Sequence, residues 1–525
     1  MVCYTLLRLG FFIANHDFYT NAKTGNVFMA FVHGLRFDLS AILMINGILL
    51  LLYNFPAGFA DGKWLKITLL ILFCALNLFF ITINLSDYGY FAVTQKRQMS
   101  EFFVMFADIM KMLPTIFADY YYLFIAVAFG GALFVFLSWF IFDKLENKLT
   151  SKLVTDSNTV TIGYSDPHPA KAGRPPIFWR ELVTFLLLAF LLWPGVKGGF
   201  QRKPIRQAHA FFTSDRAIGY LTLNSSFTVL KSMFQANVRQ IKLMPEADAR
   251  AEVKAMLCQR NEEMIDAEYP FLRRKTIGAE STKKNLVIFI MESWTADYIG
   301  AIRGPETRPN GSAGRTATPF FDSIAASGTL FTNFLANGHR SVTAIPSIID
   351  SIAGFYTLSG TGKKNSFIES QSETNNYIGL GRILLKNGYT TSFHHGANIG
   401  ALGLDVHSRL SGFLNYFGKQ DYIKAAQSDL AQDTVWGVWD EEFFQDFIAR
   451  MDGFKEPFSS GVFSLSSHEP FRIPSQKEHL FAQYTNDNKL QRALRYSDYS
   501  LQKFFETAQT KPWFKDTVFL ITADH

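Results

Sequence analysis

The chain has 525 residues, 48 % of them hydrophobic and only 18 % charged, with 53 phenylalanines and a formal net charge of +6. A disordered chain is excluded, because it needs low hydrophobicity and high charge. Three cysteines (Cys3, Cys74 and Cys258) make no disulfide framework. Lys and Arg are spread along the chain with no stripe interleaved with aromatics, so no nucleic-acid partner is expected.

The long apolar runs lie in residues 1–200. Residues 2–15 carry Arg8 and are short for a span, yet no small-residue cleavage site follows, so they read as a first helix. Residues 39–55, 67–86 and 120–142 contain no charged side chain, and residues 182–196 form a shorter apolar run behind Arg180 and Glu181. About 20 apolar residues cross a bilayer core, and strand-type alternation is missing, so an all-α transmembrane bundle of about five helices is expected over residues 1–199. The connector 143–180 carries Lys144, Lys148, Lys152, Lys171, Arg174 and Arg180, which predicts a cytoplasmic loop. The second half of the chain then lies outside a multi-pass cell (inner, cytoplasmic) membrane. Lys197, Arg202, Lys203, Arg206, Lys96, Arg97 and Lys111 dilute that bias.

Residues 200–283 read as a linker, with an amphipathic helix over 246–266 whose charges alternate. From 284 to 525 short apolar runs alternate with helical patterns, which predicts an α/β domain with a mainly parallel sheet. Sites in such sheets form beyond the carboxyl ends of the strands. The run 286–291 ends on Glu292, and the run from Tyr389 ends on His394 and His395. The run from Gly461 ends on His468, and the run from Thr517 ends on Asp524 and His525. Any one of these is ordinary, since polar residues follow strands; four at one edge point to a site. Glu292, Asp524 and His525 suit Mn²⁺, Mg²⁺ or Zn²⁺, and a satisfied ion-pair cluster is the competing reading. Between them, in GHRSVTAIPSI (338–348), Gly338 allows a tight turn and Ser341 stands where a helix begins. A helix start favours a phosphate or an alkoxide. Ser is equally a preferred helix cap, and Thr343 is a rival nucleophile.

The ordered set NLVIFIMES, GHRSVTAIPSI, SFHHG, SSHEPF and TADH resembles the lipoteichoic acid synthase-like phosphotransferases of the alkaline phosphatase/sulfatase superfamily, and GLRFDLS (34–40) and GGFQRKPI (198–205) resemble that family's membrane half. The resemblance implies membrane helices, a linker and an extracytoplasmic catalytic domain with that superfamily's fold. It implies one divalent metal, with Mn²⁺ expected ahead of Mg²⁺ or Zn²⁺, on Glu292, Ser341, Asp524 and His525. Ser341 is the implied nucleophile, in place of the family's usual Thr. His395, or the less favoured His394, and His468 would touch the substrate phosphate or act as acid and base, with Arg340 beside the nucleophile. The family's Trp-Asn-Arg after the first histidine is missing; His407 and Arg409, in ANIGALGLDVHSR, are the substitutes considered for substrate binding. Formylglycine-type sulfatases resemble Cys/Ser-x-Pro-x-Arg, whereas Ser341 is followed by Val342, Thr343, Ala344 and Ile345, so that conversion is not expected.

The implied reaction is phosphoglycerol transfer from a phospholipid donor to a glycan or polyol hydroxyl, through a covalent Ser341 intermediate at the bilayer. A phosphoethanolamine transferase (with Glu469 as the acidic candidate for the head group) and a hydrolase are alternatives, as is an inactive binding or structural protein. Transport is disfavoured because the spans 39–55, 67–86 and 120–142 contain no Asp, Glu, Lys, Arg or His. The end at His525, directly after the metal-presenting strand, suggests a fragment whose covering segment is absent.

Overall fold

The computed structural model describes residues 1–56, 62–100, 117, 121–122, 124–144, 177–201, 203–213, 215–233, 244–258, 262–266, 272–275, 282–303, 316–354, 357–358, 364–428, 432, 435–484 and 487–525. The basic connector used for orientation lies largely outside these residues. The chain divides into two compact units, Met1–Gln235 and Ala236–His525.

In the first unit three helices among the described residues are long and apolar enough to cross a membrane: α2 (Thr24–Tyr53), α3 (Lys63–Thr94) and α4 (Phe124–Lys144). Among the described residues the expected count of about five is not confirmed. Helix α1 (Val2–Ala14) has 13 residues, which at 1.5 Å each is about 20 Å. Helix α5 (Ile177–Lys197) coincides with the shorter apolar run and contains Pro194.

Residues 205–233, expected to be linker, pack inside this unit. Ile205, Phe211, Ile218, Leu221, Leu223, Phe227 and Val229 are fully buried. Two short helices, α6 (Arg216–Thr222) and α7 (Ser225–Met233), are pinned there by charge. Arg8 donates to the Leu221, Thr222 and Leu223 carbonyls at the carboxyl end of α6 and pairs with Asp38. Asp38 also accepts from Asn224 Nδ2 at 2.8 Å, and Asp87, paired to Arg97 at 3.0 Å, accepts from Ser225 Oγ at the start of α7. Cations thus sit at a helix carboxyl end and carboxylates at a helix amino end, the arrangement the helix dipoles favour.

In the second unit, helix α8 (Glu246–Leu257) stops nine residues short of the expected 266. Arg273 takes the Leu257 carbonyl and bonds Glu262 at 3.0 Å, which turns the chain into a short antiparallel pair, Glu262–Met264 with Arg273–Lys275. The remainder is built on a parallel sheet of five strands: β1 (Asn285–Met291), β2 (Thr390–His395), β3 (Asn415–Phe417), β4 (Phe458–Phe463) and β5 (Thr517–Ala523). Their spatial order is β3-β2-β4-β1-β5, all neighbours parallel.

Both faces of the sheet are covered, as a parallel sheet requires, with α9 (Pro319–Ser327) on one and α11 (Leu380–Lys386) on the other among the covering helices. Val287, Phe289 and Met291 of β1 pack with α13 (Asp440–Met451) and α14 (Lys489–Ala508) through Phe444, Phe447, Phe504 and Phe505. The alternate residues Ile288 and Ile290 face Val342, Ile345 and Ile349, the apolar stripe of α10 (Ser341–Asp350). That stripe fixes α10 on the sheet with its first residue at the carboxyl edge.

Candidate active site

Four strand ends and one helix start converge at the carboxyl edge of the sheet. Glu292 follows β1, Asp524 and His525 follow β5, and these three offer ligand atoms all within 4.8 Å of one another. Glu292 and Asp524 are 2 % and 1 % exposed. Ser341 Oγ, at the first position of α10, donates to Glu292 Oε2 at 3.1 Å. Ser293 Oγ donates to Glu292 Oε1 at 2.7 Å, and His525 Nε2 stands 3.5 Å from Glu292 Oε1 and 3.3 Å from Asp524 Oδ2.

Two buried carboxylates share one imidazole, and their electrostatics follow. Burial raises the Glu292 carboxyl, but hydrogen bonds from His525 and Ser293 and the charges of His468 and His525 outweigh it and hold the group below its ordinary range. Burial and the adjacent Glu292 charge push Asp524 up to about 6, against the pull of His525. The bond to Glu292 first, and then the Asp524 and Glu292 charges, raise the His525 imidazole against its burial. Asp524 Oδ1 accepts from the Ser293 and His525 backbone N–H groups at 3.0 and 2.8 Å. Asp524 Oδ2 is buried and has no hydrogen-bond partner. An excess of buried carboxylate around an open oxygen fits a divalent cation, with two carboxylates, one imidazole and the Ser341 hydroxyl as the donor set.

The two rival hydroxyls part here. Thr343 Oγ1 donates to the Arg340 carbonyl at 2.7 Å and accepts from its N–H at 3.3 Å, so it closes the first turn of α10. Ser341 faces the carboxylates. Gly338 permits this turn: a Cβ there would lie 2.6 Å from Thr343 Oγ1 and 2.7 Å from the Ala344 nitrogen. Arg340 is exposed at the mouth beside Ser341.

The adjacent histidines of β2 point to opposite faces, as strand alternation demands. His395 is buried against Phe463, with ring centroids 5.0 Å apart, and neither ring nitrogen has a partner. Burial lowers its pKa to about 4, with Glu292 raising it and His468 lowering it, so both groups lie within electrostatic reach. His394 does not reach the site. Its ring lies between Phe417 and Phe447, at 4.8 and 4.5 Å, with Nε2 3.0 Å from Ser392 Oγ. Burial, then Arg450, lowers its pKa well below the ordinary value. His468 is half-buried, its ring 4.3 Å from Trp436 and its Nδ1 2.9 Å from the Glu469 carbonyl.

His407 and Arg409, in α12 (Leu404–Leu410), are not brought to the carboxylates. His407 Nε2 lies 2.9 Å from Asp350 Oδ2, at the far end of α10, about 13 Å along the helix from Ser341. Arg409 pairs with Asp405 at 3.2 Å, one helical turn away. The sequence reading missed Ser293, Ser464 and Ser467. Ser464 Oγ accepts from the Glu292 N–H at 2.7 Å, and Ser467 Oγ donates to the Glu292 carbonyl at 2.5 Å. The stretch SLSS before His468 was the available signal.

Residues 284–525 match the profile of the Sulfatase family. They form a sulfatase-family domain. Among curated relatives, lipoteichoic acid synthase 1 of Bacillus subtilis (strain 168) is 26 % identical over 221 residues, covering 40 % of this chain and 33 % of the relative. Phosphoglycerol transferase I of Salmonella choleraesuis (strain SC-B67) is 28 % identical over 154 residues, covering 28 % of this chain and 20 % of the relative. The matched stretch thus spans a third or less of these relatives. Among solved structures, an alkaline phosphatase superfamily protein from Vibrio parahaemolyticus aligns at 24 % identity and TM-score 0.45, covering 54 % of this chain and 64 % of its own. The lipoteichoic acid synthase LtaP from Listeria monocytogenes aligns at 19 % identity and TM-score 0.40, covering 53 % and 62 %.

Proposed function

We propose that the chain is a membrane-anchored transferase that moves a phosphoglycerol group from a phospholipid to a hydroxyl acceptor, a glycan or polyol, through a covalent Ser341 intermediate. The observation that carries the reading is Ser341 Oγ bonded to Glu292 within a group of two buried carboxylates and one imidazole. The relatives named as phosphoglycerol transferase and lipoteichoic acid synthase supply the donor class.

Glu292, Asp524, His525 and Ser341 would hold one divalent cation, Mn²⁺ by preference, which when bound supplies a lowered hydroxyl pKa and charge stabilisation at the phosphoryl group. The Ser341 hydroxyl gives up its proton to solvent before the reaction; its Oγ attacks phosphorus, the phosphorus–oxygen bond to diacylglycerol breaks, and phosphoglycerol stays on Ser341, with Oγ leaving again as the alkoxide in the second half. His395, neutral above its pKa of about 4, offers one ring N–H to a phosphoryl oxygen. His468, partly open to solvent, gives a proton to the departing diacylglycerol oxygen and takes one from the acceptor hydroxyl in the second half. Arg340 supplies charge at the mouth. The membrane helices belong to the mechanism because the donor is a lipid and must be met at the leaflet, with this domain on the extracytoplasmic side of a multi-pass chain in the cytoplasmic membrane.

The test is a comparison of donors. Full-length chain in detergent with Mn²⁺ is given phosphatidylglycerol or phosphatidylethanolamine, and diacylglycerol release is followed. Release from phosphatidylglycerol that depends on an added polyol supports the reading. Release from phosphatidylethanolamine alone replaces the head group, and release independent of acceptor makes the protein a hydrolase.

A further inference from the structure

Asp440 opens α13, where an acidic residue ordinarily serves its own helix start. Its carboxylate does something else. Oδ1 accepts from the Leu465 and Ser466 backbone N–H groups at 2.7 and 3.1 Å, and Oδ2 accepts from Ser497 Oγ of α14 at 3.1 Å. The Asp440 N–H itself donates to Ser466 Oγ at 2.9 Å. Asp440 is 1 % exposed, so these bonds form away from water, where an unmade one is costly.

The segment held this way is the four-residue turn after β4, and both its ends touch the site. Ser464 and Ser467 grip the Glu292 N–H and carbonyl, at 2.7 and 2.5 Å. The Leu465 carbonyl accepts the His468 N–H at 3.0 Å, so the turn that Asp440 fastens closes on His468.

We propose that Asp440 is the positioning residue of this active site, setting Glu292 and His468 together through the 464–467 turn. The proposal rests on the reading that these two residues serve one site. Asp440 touches no reacting atom; it fixes the peptide unit that aims the Glu292 carboxylate and the backbone that aims the His468 ring. Partners that orient metal ligands are worth about 10- to 100-fold in metal affinity or rate.

The experiment compares Asp440→Ala and Asp440→Asn with the parent, all full-length in detergent. Mn²⁺ affinity is read by calorimetry, kcat and KM by diacylglycerol release from phosphatidylglycerol, and folding by thermal melt. D440A removes the acceptor and is expected to weaken Mn²⁺ about tenfold and lower kcat at least tenfold, with KM within about twofold. D440N keeps one oxygen for the two N–H groups and is expected to recover most of both losses. A folded D440A with parental affinity and kcat overturns the proposal, as does a D440N that falls as far as D440A. Should D440A not fold, Ser467→Ala decides, because it leaves Asp440 in place and frees one side of the Glu292 peptide. It is expected to weaken Mn²⁺ severalfold, and unchanged affinity overturns the proposal. The calorimetry arm judges Asp440 even where the donor lipid proves wrong, and a parent chain that binds no Mn²⁺ overturns the site reading and the proposal with it.

Discussion

Two clusters of buried charge, one in each unit, are built in different ways. In the first unit Arg8 faces Asp38 and Arg97 faces Asp87, one cation to one anion, with Arg8, Asp38 and Asp87 also bonded to α6, Asn224 and α7. In the second unit Glu292 and Asp524 share His525, and Asp524 Oδ2 has no donor. The first arrangement is balanced and acts as a pin. The second carries surplus negative charge, which the proposed cation would complete. Burial does not separate the two, and neither does an unpartnered carboxylate oxygen, since Asp38 Oδ2 and Asp524 Oδ2 both lack a donor; the local charge sum does.

The largest break in the comparison is metal removal. Chelation of the full chain should lower transfer about 1000-fold or more, restored by Mn²⁺, since a catalytic cation supplies several kcal/mol. Chelation should leave the first unit's ion pairs untouched, so a chelated protein whose α-helical melt also collapses contradicts the division. Next, Asp87→Asn strands Arg97 and should cost about 3–5 kcal/mol in a thermal melt in detergent, whereas Arg97→Met with Asp87→Leu should return toward the parent. Equal melts for the single and double variants would show that the pair is no pin.

Asp524→Asn should act in the opposite sense. It relieves the repulsion between two carboxylates, so the metal-free protein should gain about 1 kcal/mol while Mn²⁺ affinity falls. A loss of metal-free stability equal to that of D87N would make the two regions alike. The smallest effect belongs to Asp498, a buried carboxylate that accepts from the Phe320 and Phe321 N–H groups at 2.8 and 2.9 Å. Burial raises it to about 7 against those bonds. A raised pKa gives stability that is present below the unfolded value and lost as pH rises through the folded one. The parent melt should therefore drop by a few degrees more than that of Asp498→Asn between pH 5 and pH 8. Parallel profiles would remove Asp498 from the account.

Much of the candidate site was legible because strand ends are. Glu292, His395, His468 and the Asp524–His525 pair each follow an apolar run, and the sheet brings such ends to one edge whatever the loops do. The choice between His394 and His395 needed the register: one residue's shift sends a side chain to the opposite face. His407 was misplaced because nearness in sequence to His395 says nothing about which end of α10 it meets. Asp440 and the 464–467 serines were missed since an acidic residue at a helix start and a serine-rich turn both have ordinary explanations. β3 was missed because three residues carry no period. The segment 205–233 reads as linker because its polar residues, Asn224 through Ser232, have partners that lie more than 100 residues away in Asp38, Asn84, Asp87 and Gln98.

The central claim is that surplus charge at the sheet edge exists to make Ser341 a nucleophile. Its most direct test is the intact mass of the full chain after brief exposure to phosphatidylglycerol and Mn²⁺ without acceptor, beside Ser341→Ala and Thr343→Ala. The account predicts a glycerophosphate adduct on the parent and on T343A, none on S341A, and none without the metal. An adduct that persists in S341A, or a parent chain that releases diacylglycerol with no adduct at any time, contradicts it.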